Sequence, residues 1–227
     1  MDHEAVFWDV GGVILDTASI VEAQQTFLER VVEAYDLEHD VDAARDRWRS
    51  ALSEHFAGRE GRKYRTAREG REKAAAALFD GDVPEDWRAL FEEVTEATVR
   101  LNPGAEETLR RIHEAGIYQA IVSDADAGLA DTLDRFGIDE YVSHVTTSEE
   151  VGYVKPDRRM FETAFEKARG AGVDPERGVM VGDKYDNDME GASAVGLTTA
   201  GYGAEDGPAV DHQLADLRDL LDVLKIE

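Results

Sequence analysis

The chain has 227 residues, of which 42% are hydrophobic and 5 are proline, so it can fold around a sizeable buried core. It carries 50 acidic residues against 25 basic residues, a formal net charge of −25, and no cysteine. This composition excludes a disordered chain, a disulfide scaffold and a cysteine zinc site. It also argues against nucleic acid as a partner, because phosphate backbones are bound by basic surfaces.

No segment approaches the roughly 18 apolar residues that a membrane-spanning helix needs, and the first residues lack the basic region of a signal peptide. We therefore expect a cytoplasmic protein with no membrane partner. Only 6 of the 25 basic residues are lysine, and the excess acidic charge would repel itself in dilute salt. The hypothesis is a salt-rich, halophilic cytoplasm, and the alternative is an ordinary acidic protein.

The first predicted element is a buried strand at residues 6–8, which is apolar and too short for a helix. Asp9 follows at its carboxyl end, and Gly11 and Gly12 then form a tight turn in which a ligand can approach the backbone closely. Ligands of open α/β sheets bind at such strand ends. Asp9 is therefore a candidate metal ligand or nucleophile, and the alternative is a turn-forming aspartate.

Apolar residues then recur at helical spacing from about residue 17 to residue 101, with breaks at Gly58, Gly61 and residues 81–84. This pattern predicts about four helices and no strand. A turn at residues 102–104 and a helix that ends at Gly116 follow. Strands and helices then alternate: strands at 118–122, 142–145, 178–181 and 197–200, and helices at 129–136, 156–169, 188–195 and 214–224.

This order predicts an α/β fold with a doubly wound parallel sheet, formed by residues 1–16 and 102–227. Residues 17–101 would form an inserted all-α domain. Because the insertion follows the first strand, we expect it to lie over the carboxyl edge of the sheet, above Asp9.

Two further strand ends carry candidate site residues. Ser123 comes immediately after the strand at 118–122 and is followed by Asp124, at a point where backbone donors face a bound anion. Lys155 precedes Pro156, which suits the first turn of a helix and so gives the lysine a defined position. The alternatives are a helix-capping serine and a surface lysine.

The segment 179–192 is the most informative of the chain. An apolar strand runs into Gly182 and Asp183, and further acids follow up to Asp188. Carboxylates so close together repel one another unless a hard cation is present, and Mg²⁺ needs only one or two of them. Asp183 is the candidate ligand, with Asp188 orienting it. Helix-capping aspartates are the alternative for one or two of these residues.

Four motifs in this order identify a resemblance that covers the whole chain. They are residues 9–13, Ser123 at the end of its strand, residues 155–157, and Gly182 through Asp188. The chain resembles the haloacid dehalogenase superfamily, in the branch with a helical cap inserted after the first motif. The resemblance implies a Rossmann-like core domain and a helical cap.

The resemblance also implies aspartyl-phosphate chemistry on a small phosphorylated substrate. Asp9 would attack phosphorus and form a covalent intermediate that water hydrolyses. Mg²⁺ would be held by Asp9, the carbonyl of Gly11 and Asp183 with Asp188. Ser123, Asp124 and Lys155 would form the phosphate site, completed by backbone donors of the turn at residues 11–12.

One position departs from the family's phosphatases, most of which carry a second aspartate two residues after the nucleophile. Gly11 stands there, so a slow phosphatase is expected, with Asp16 or Asp124 as substitute acids. The alternatives are a metal-independent 2-haloacid dehalogenase, which also lacks that aspartate, and a phosphate-binding regulatory module without turnover. Asp183 argues against the dehalogenase, which has a small neutral residue there.

Residues 58–73 have a net charge of +4 within this acidic chain, and five arginines recur in them every three residues. On a helix these arginines would form a slowly drifting row. Arg62 and Arg65 are candidate substrate-binding residues that could attract an anionic substrate. The alternative is ion pairing within the inserted domain. Neither the substrate nor the oligomeric state can be predicted.

Overall fold

The computed structural model describes residues 3–226. One sheet contains six parallel strands: β1 (Ala5–Trp8), β2 (Tyr118–Ser123), β3 (His144–Thr147), β4 (Gly178–Gly182), β5 (Thr198–Tyr202) and β6 (His212–Leu214). Their order across the sheet is β3-β2-β1-β4-β5-β6. The predicted doubly wound parallel sheet is confirmed.

In the described chain, β1 is followed by four α-helices of the inserted segment: α1 (Thr17–Ala34), α2 (Val41–Ala57), α3 (Ala67–Leu78) and α4 (Trp87–Thr98). Six more follow: α5 (Ala105–Glu114), α6 (Leu129–Arg135), α7 (Ser148–Val151), α8 (Arg158–Gly170), α9 (Glu190–Ser193) and α10 (Asp219–Leu224). None of the helices in the described part of the chain has the length and apolar character needed to cross a membrane.

The chain divides into two compact units. One consists of the residues up to Leu15 together with those from Leu101 onward, and the other of Asp16–Arg100. We call them the α/β unit and the helical unit. That the helical unit acts as a cap over the site stays a prediction.

Strand β1 is the centre of the α/β unit because it pairs with β2 on one side and β4 on the other. All four of its residues are fully buried, as expected for a parallel strand covered on both faces. Phe7 packs against Phe165 of α8, with 5.6 Å between ring centroids. In the same strand, Trp8 Nε1 donates to Gln119 Oε1 of β2 at 3.2 Å. The residue after β1 is therefore held on a rigid support.

The helical unit has its own apolar core, in which the side chains of α1, α2, α3 and α4 meet. An aromatic cluster lies at its centre, with ring centroids 5.1 to 6.5 Å apart: Phe27, Trp48, Trp87 and Phe91. This core is separate from the core beside the sheet.

The carboxyl-terminal prediction was wrong in one part. Instead of one helix from residue 214, Leu214 ends β6, and α10 begins only at Asp219. The Asp219 carboxylate accepts hydrogen bonds from the backbone N–H groups of Ala215 and Asp216, at 2.9 Å each. These bonds stabilise a turn before the helix, so the apolar spacing did not indicate where the helix begins.

Two helix starts also differ from the predictions. Helix α8 begins at Arg158, and the side chain of Asp157 caps it, so Pro156 lies before the helix and not in its first turn. Residues Tyr185–Met189 form a π-helical turn, and the α-helix proper covers only Glu190–Ser193. Such π-turns are often found at functional sites.

Candidate active site

Three candidate residues lie at the carboxyl ends of neighbouring strands, at the same edge of the sheet. Trp8 of β1 is in register with Ile121 of β2 and with Val181 of β4. Asp9 follows Trp8 directly, whereas Ser123 and Asp183 stand two residues beyond these partners. The register therefore brings an aspartate, a serine hydroxyl and a second aspartate to adjacent strand ends, where such sheets bind ligands.

Lys155 lies between two of the acidic side chains and is only 2% exposed. Its Nζ atom is 2.9 Å from Asp9 Oδ1 and 2.5 Å from Asp188 Oδ1. Burial lowers the pKa of Lys155, but Asp9, Asp188 and Asp124 outweigh burial and hold that pKa above its ordinary value. The side chain is therefore a fixed ammonium group.

Asp188 uses both carboxylate oxygens within the protein. Oδ1 accepts from Lys155, and Oδ2 accepts from the backbone N–H groups of Asp183 (3.2 Å) and Lys184 (3.0 Å). A Cβ atom at Gly182 would lie 2.2 Å from Asp188 Cβ, so only glycine leaves room for this arrangement. Burial, followed by Asp9, raises the pKa of Asp188. Its geometry is that of an orienting residue, which holds Lys155 and the turn that carries Asp183.

Asp183 is the carboxylate that lacks a full set of partners. One oxygen from each of Asp9, Asp183 and Asp188 lies within 4.8 Å of the others. Burial, with the charge of Asp9, raises the pKa of Asp183 to about 6. Within the described chain, Asp183 Oδ1 is buried and has no hydrogen-bond partner.

These features fit a hard divalent cation, which binds carboxylate oxygens and offsets their repulsion. Gly12 makes the arrangement possible, because a Cβ atom there would lie 2.2 Å from Asp183 Oδ2. Its φ of +89° also favours glycine. The residue that closes the turn after Asp9 therefore also leaves space for a second carboxylate.

The Gly12 amide is not available to an anion, because it donates to Leu15 O at 2.9 Å. Asn102 supports the same loop, since its Nδ2 atom donates to the carbonyl oxygens of Gly12 and Val13 at 3.0 and 2.9 Å. At Gly11 an added Cβ atom would meet nothing within 4 Å. The space in which a side chain at position 11 would lie is therefore open.

Asp124 and Asp16, the two predicted substitute acids, both have structural partners. Asp124 Oδ1 accepts from the Lys155 backbone N–H at 2.8 Å and from Ser148 Oγ at 2.9 Å. Asp16 caps α1, accepting from the Ala18 backbone N–H at 2.9 Å. The geometry of Asp124 favours a role in positioning the Lys155 segment over direct contact with phosphate.

A cavity of about 80 Å³ lies beside the carboxylate of Asp9. The residues that line it are Asp9, Gly11, Ser123, Asp124, Lys155, Lys184, Asn187 and Asp188. Lys184 and Asn187 were not predicted as site residues. Their signal in the sequence was their position between the two predicted aspartates. Ser148 and Asn102 also escaped prediction, because only the folded chain brings them to the site loops.

The arginine-rich segment differs from the row predicted for a helix. Helix α3 begins at Ala67, so Arg62 and Arg65 lie before it, and only Arg68 and Arg71 are helical. Arg62 is exposed, whereas Arg65 is half-buried and donates from Nη1 to His55 O at 3.0 Å. Substrate binding by Arg62 and Arg65 stays a prediction.

Comparisons with known proteins indicate the family of the chain. The chain is similar to haloacid dehalogenase-like hydrolase domain-containing protein 3 of Bos taurus, with 41% identity over 101 residues, 44% of this chain and 39% of that protein. It is 36% identical to the ribulose-1,5-bisphosphate 5-phosphatase of Halopiger xanaduensis over 131 residues, 57% of this chain and 51% of that protein. The chain thus spans about half or less of the length of these relatives.

A solved structure covers the whole fold. The HAD phosphatase of Thermococcus onnurineus superimposes with a TM-score of 0.74 at 25% identity, and 99% of each chain is covered. The family model for haloacid dehalogenase-like hydrolases matches residues 3–196. The chain therefore belongs to the haloacid dehalogenase-like hydrolase family.

Proposed function

We propose that this hydrolase is a Mg²⁺-dependent phosphatase that cleaves small phosphorylated metabolites through an aspartyl-phosphate on Asp9. The observation that carries the proposal is the arrangement of Asp9, Lys155 and Asp183 at one edge of the sheet. A buried nucleophile candidate lies beside a fixed cation and a carboxylate with an unpartnered oxygen. The phosphatase names of relatives over part of the chain support the same chemistry.

Asp9 is suited to covalent catalysis because it is held in place. Its backbone N–H donates to Val181 O at 2.9 Å, and its Oδ1 atom faces Lys155. In the first step a carboxylate oxygen of Asp9 bonds to phosphorus, and the bond from phosphorus to the leaving oxygen breaks. In the second step water bonds to phosphorus and the bond to Asp9 breaks, which releases phosphate and restores the carboxylate.

Asp9, Asp183 and the carbonyl of Gly11 would hold the metal ion, and Asp188 would orient Asp183 through its backbone N–H. When bound, Mg²⁺ supplies charge neutralisation between the attacking carboxylate and the phosphoryl group. Lys155 and the hydroxyl of Ser123 would bind phosphoryl oxygens. Because Lys155 is fixed by Asp188, its charge needs no reorganisation during the reaction.

Gly11 limits the expected rate. The leaving oxygen must acquire a proton and the attacking water must lose one, and both Asp16 and Asp124 are engaged in structural hydrogen bonds. Loss of a positioned acid and base typically costs ~10² to 10⁴ in rate. We therefore propose a slow enzyme, with proton transfer to and from solvent.

The metal-independent dehalogenase is the weaker candidate, because Asp183 would then lie close to Asp9 and Asp188 with no cation among them. A regulatory module without turnover draws support only from Gly11. Neither alternative accounts for the unpartnered oxygen of Asp183, whereas a metal-dependent phosphatase does.

The test is phosphate release from p-nitrophenyl phosphate and a panel of small phosphate esters, in molar KCl with MgCl₂ or EDTA. We expect MgCl₂-dependent release that Asp9→Asn lowers by roughly 10³-fold or more. The Asp131→Asn variant, an exposed change in α6, is the matched control and should keep full activity. Intact mass should show a transient phosphoryl adduct that Asp9→Asn lacks.

Two outcomes would contradict the proposal. Chloride release from 2-chloropropionate in EDTA, without phosphate release, would favour the dehalogenase. Tight binding of inorganic phosphate with neither activity would favour the regulatory module.

A further inference from the structure

Lys184 is a cation of the site cavity that the mechanism above does not use. Its side chain is exposed, and among residues 3–226 it has no hydrogen bond or ion pair. Lys155 and Lys167, by contrast, each contact a carboxylate oxygen at 2.9 Å or less. The charge of Lys184 acts on Asp183, but its ammonium group makes no hydrogen bond in the described chain. It can therefore donate hydrogen bonds to a ligand at the edge of the acidic cavity.

The backbone of Lys184 is nevertheless firmly held. Its N–H group donates to Asp188 Oδ2 at 3.0 Å, and its carbonyl oxygen accepts from the Asp188 N–H at 2.8 Å. Since Asp188 also binds Lys155, the two lysines are anchored to the same aspartate. The free side chain of Lys184 therefore starts from a fixed point beside the phosphoryl site.

Asn187 lines the same cavity, on the π-helical turn three residues after Lys184. Its side-chain amide has no hydrogen-bond partner within the described chain. An amide N–H₂ group donates two hydrogen bonds, so it can share an anion with an ammonium group. Two unpartnered donors thus lie on one short segment.

The size of the cavity determines which part of a substrate the side chains of Lys184 and Asn187 can contact. A volume of about 80 Å³ corresponds to a handful of water-sized groups, at about 10–15 Å³ each. This is enough for a phosphoryl group with a metal ion and little more. The rest of a phosphate ester must lie towards the solvent, which is where the exposed side chain of Lys184 extends.

The charge of the site determines which chemical groups the rest of the phosphate ester can carry. Asp9, Asp124, Asp183 and Asp188 surround one buried lysine, in a chain with a net charge of −25. A substrate with an additional anionic group would be repelled by this field unless a cation met that group.

We propose that Lys184 and Asn187 bind a second anionic group of the substrate, on its leaving-group side. The preferred substrates are then phosphate monoesters that carry a carboxylate or a second phosphate a few bonds from the scissile phosphoryl group. This inference rests on the proposed phosphatase function and adds the substrate class.

The test compares two substrates of nearly equal size, 2-phosphoglycolate with its carboxylate and 2-hydroxyethyl phosphate with a neutral hydroxyl. Lys184→Gln should lower the ratio of kcat/KM for the first over the second by about fivefold, mainly through KM. Lys184→Arg should restore most of the ratio, because it keeps the charge. Asn187→Asp should lower the ratio as well, since it places a negative charge next to the bound anion.

Arg135→Gln, an exposed change in α6, is the matched control and should leave the ratio unchanged. In the Asp9→Asn background, calorimetry should show weaker binding of 2-phosphoglycolate when Lys184→Gln is added. An active enzyme whose ratio is the same in Lys184→Gln would overturn the inference and leave the phosphatase intact. No phosphate release from any ester by the unchanged chain would overturn the phosphatase and this inference with it.

Discussion

Among single residues, Asp183 shows most directly how stability and function oppose each other in this site. Its carboxylate is half-buried beside Asp9, and burial with that charge raises its pKa to about 6. Because this pKa lies above the ordinary value of 3.8, the ionised group opposes folding above pH 6. The opposition fades as the pH falls through about 6, since the group then binds a proton more readily in the folded chain.

We therefore predict that Asp183→Asn stabilises the metal-free protein at pH 7.5. The expected gain is about 1 kcal/mol after a discount for solvent screening, or roughly 2–4 °C in Tm. The same variant should lose the rise in Tm that MgCl₂ gives the unchanged chain. Thermal unfolding with MgCl₂ and with EDTA measures both effects, and Asp131→Asn should show neither. A lower Tm in EDTA would show that Asp183 stabilises the fold.

Gly11 gives the second prediction at this scale. Because an added Cβ atom would meet nothing within 4 Å, Gly11→Asp should fold normally and place a carboxyl group at the cavity. It should raise kcat for p-nitrophenyl phosphate by ~10-fold or more, since a positioned acid and base is worth ~10² to 10⁴.

Gly12→Asp is the contrasting control. Its Cβ atom would lie 2.2 Å from Asp183 Oδ2, and φ there is +89°. This variant should lose activity and stability together. Steady-state kinetics and a melting curve for each variant distinguish a change in catalysis from a loss of folding. An unchanged kcat in folded Gly11→Asp would show that proton transfer does not limit the rate.

At the scale of elements, Asp124 links the end of β2 to the segment that carries Lys155. It accepts from the Lys155 N–H and from Ser148 Oγ at the start of α7. Asp124→Ala should lower kcat by roughly 10- to 100-fold, because Lys155 would no longer be held in place. Asp124→Asn keeps the Oδ1 acceptor and should recover most of that loss. If Asn and Ala variants were equally impaired, the negative charge of Asp124 would matter more than its hydrogen bonds.

The strands that carry Asp9, Ser123 and Asp183 could be predicted because each is a short apolar run that ends at a polar residue. The alternation of strands and helices then predicts a parallel sheet. The order of the strands and the presence of β6 were not predicted. The hydrogen bonds of Asp124 and Asn102 could not be predicted, since each joins segments far apart in the chain. The π-helical turn at Tyr185–Met189 also escaped, because no apolar period distinguishes it from an α-helix.

At the scale of the whole molecule, the acidic charge is unevenly distributed between the two units. The helical unit, Asp16–Arg100, has 20 acidic and 13 basic residues, a net charge of −7. The remaining residues have 30 acidic and 12 basic residues, a net charge of −18. Self-repulsion is therefore concentrated in the unit that contains Asp9, Lys155 and Asp183.

This distribution predicts a salt-dependent fold in which the α/β unit depends on salt more than the helical unit. Raising KCl from ~0.1 M to molar concentration shortens the screening length from about 10 Å to about 3 Å, so Tm should rise. Hydrogen exchange followed by mass spectrometry should show a larger gain in protection for β1, β2 and β4 than for α2 and α3. Sucrose, which is excluded from the surface but does not screen charge, is the control for general stabilisation. A Tm that stays level or falls in KCl would contradict the prediction. Equal gains in hydrogen-exchange protection in both units would show that the charge distribution does not determine how the fold responds to salt.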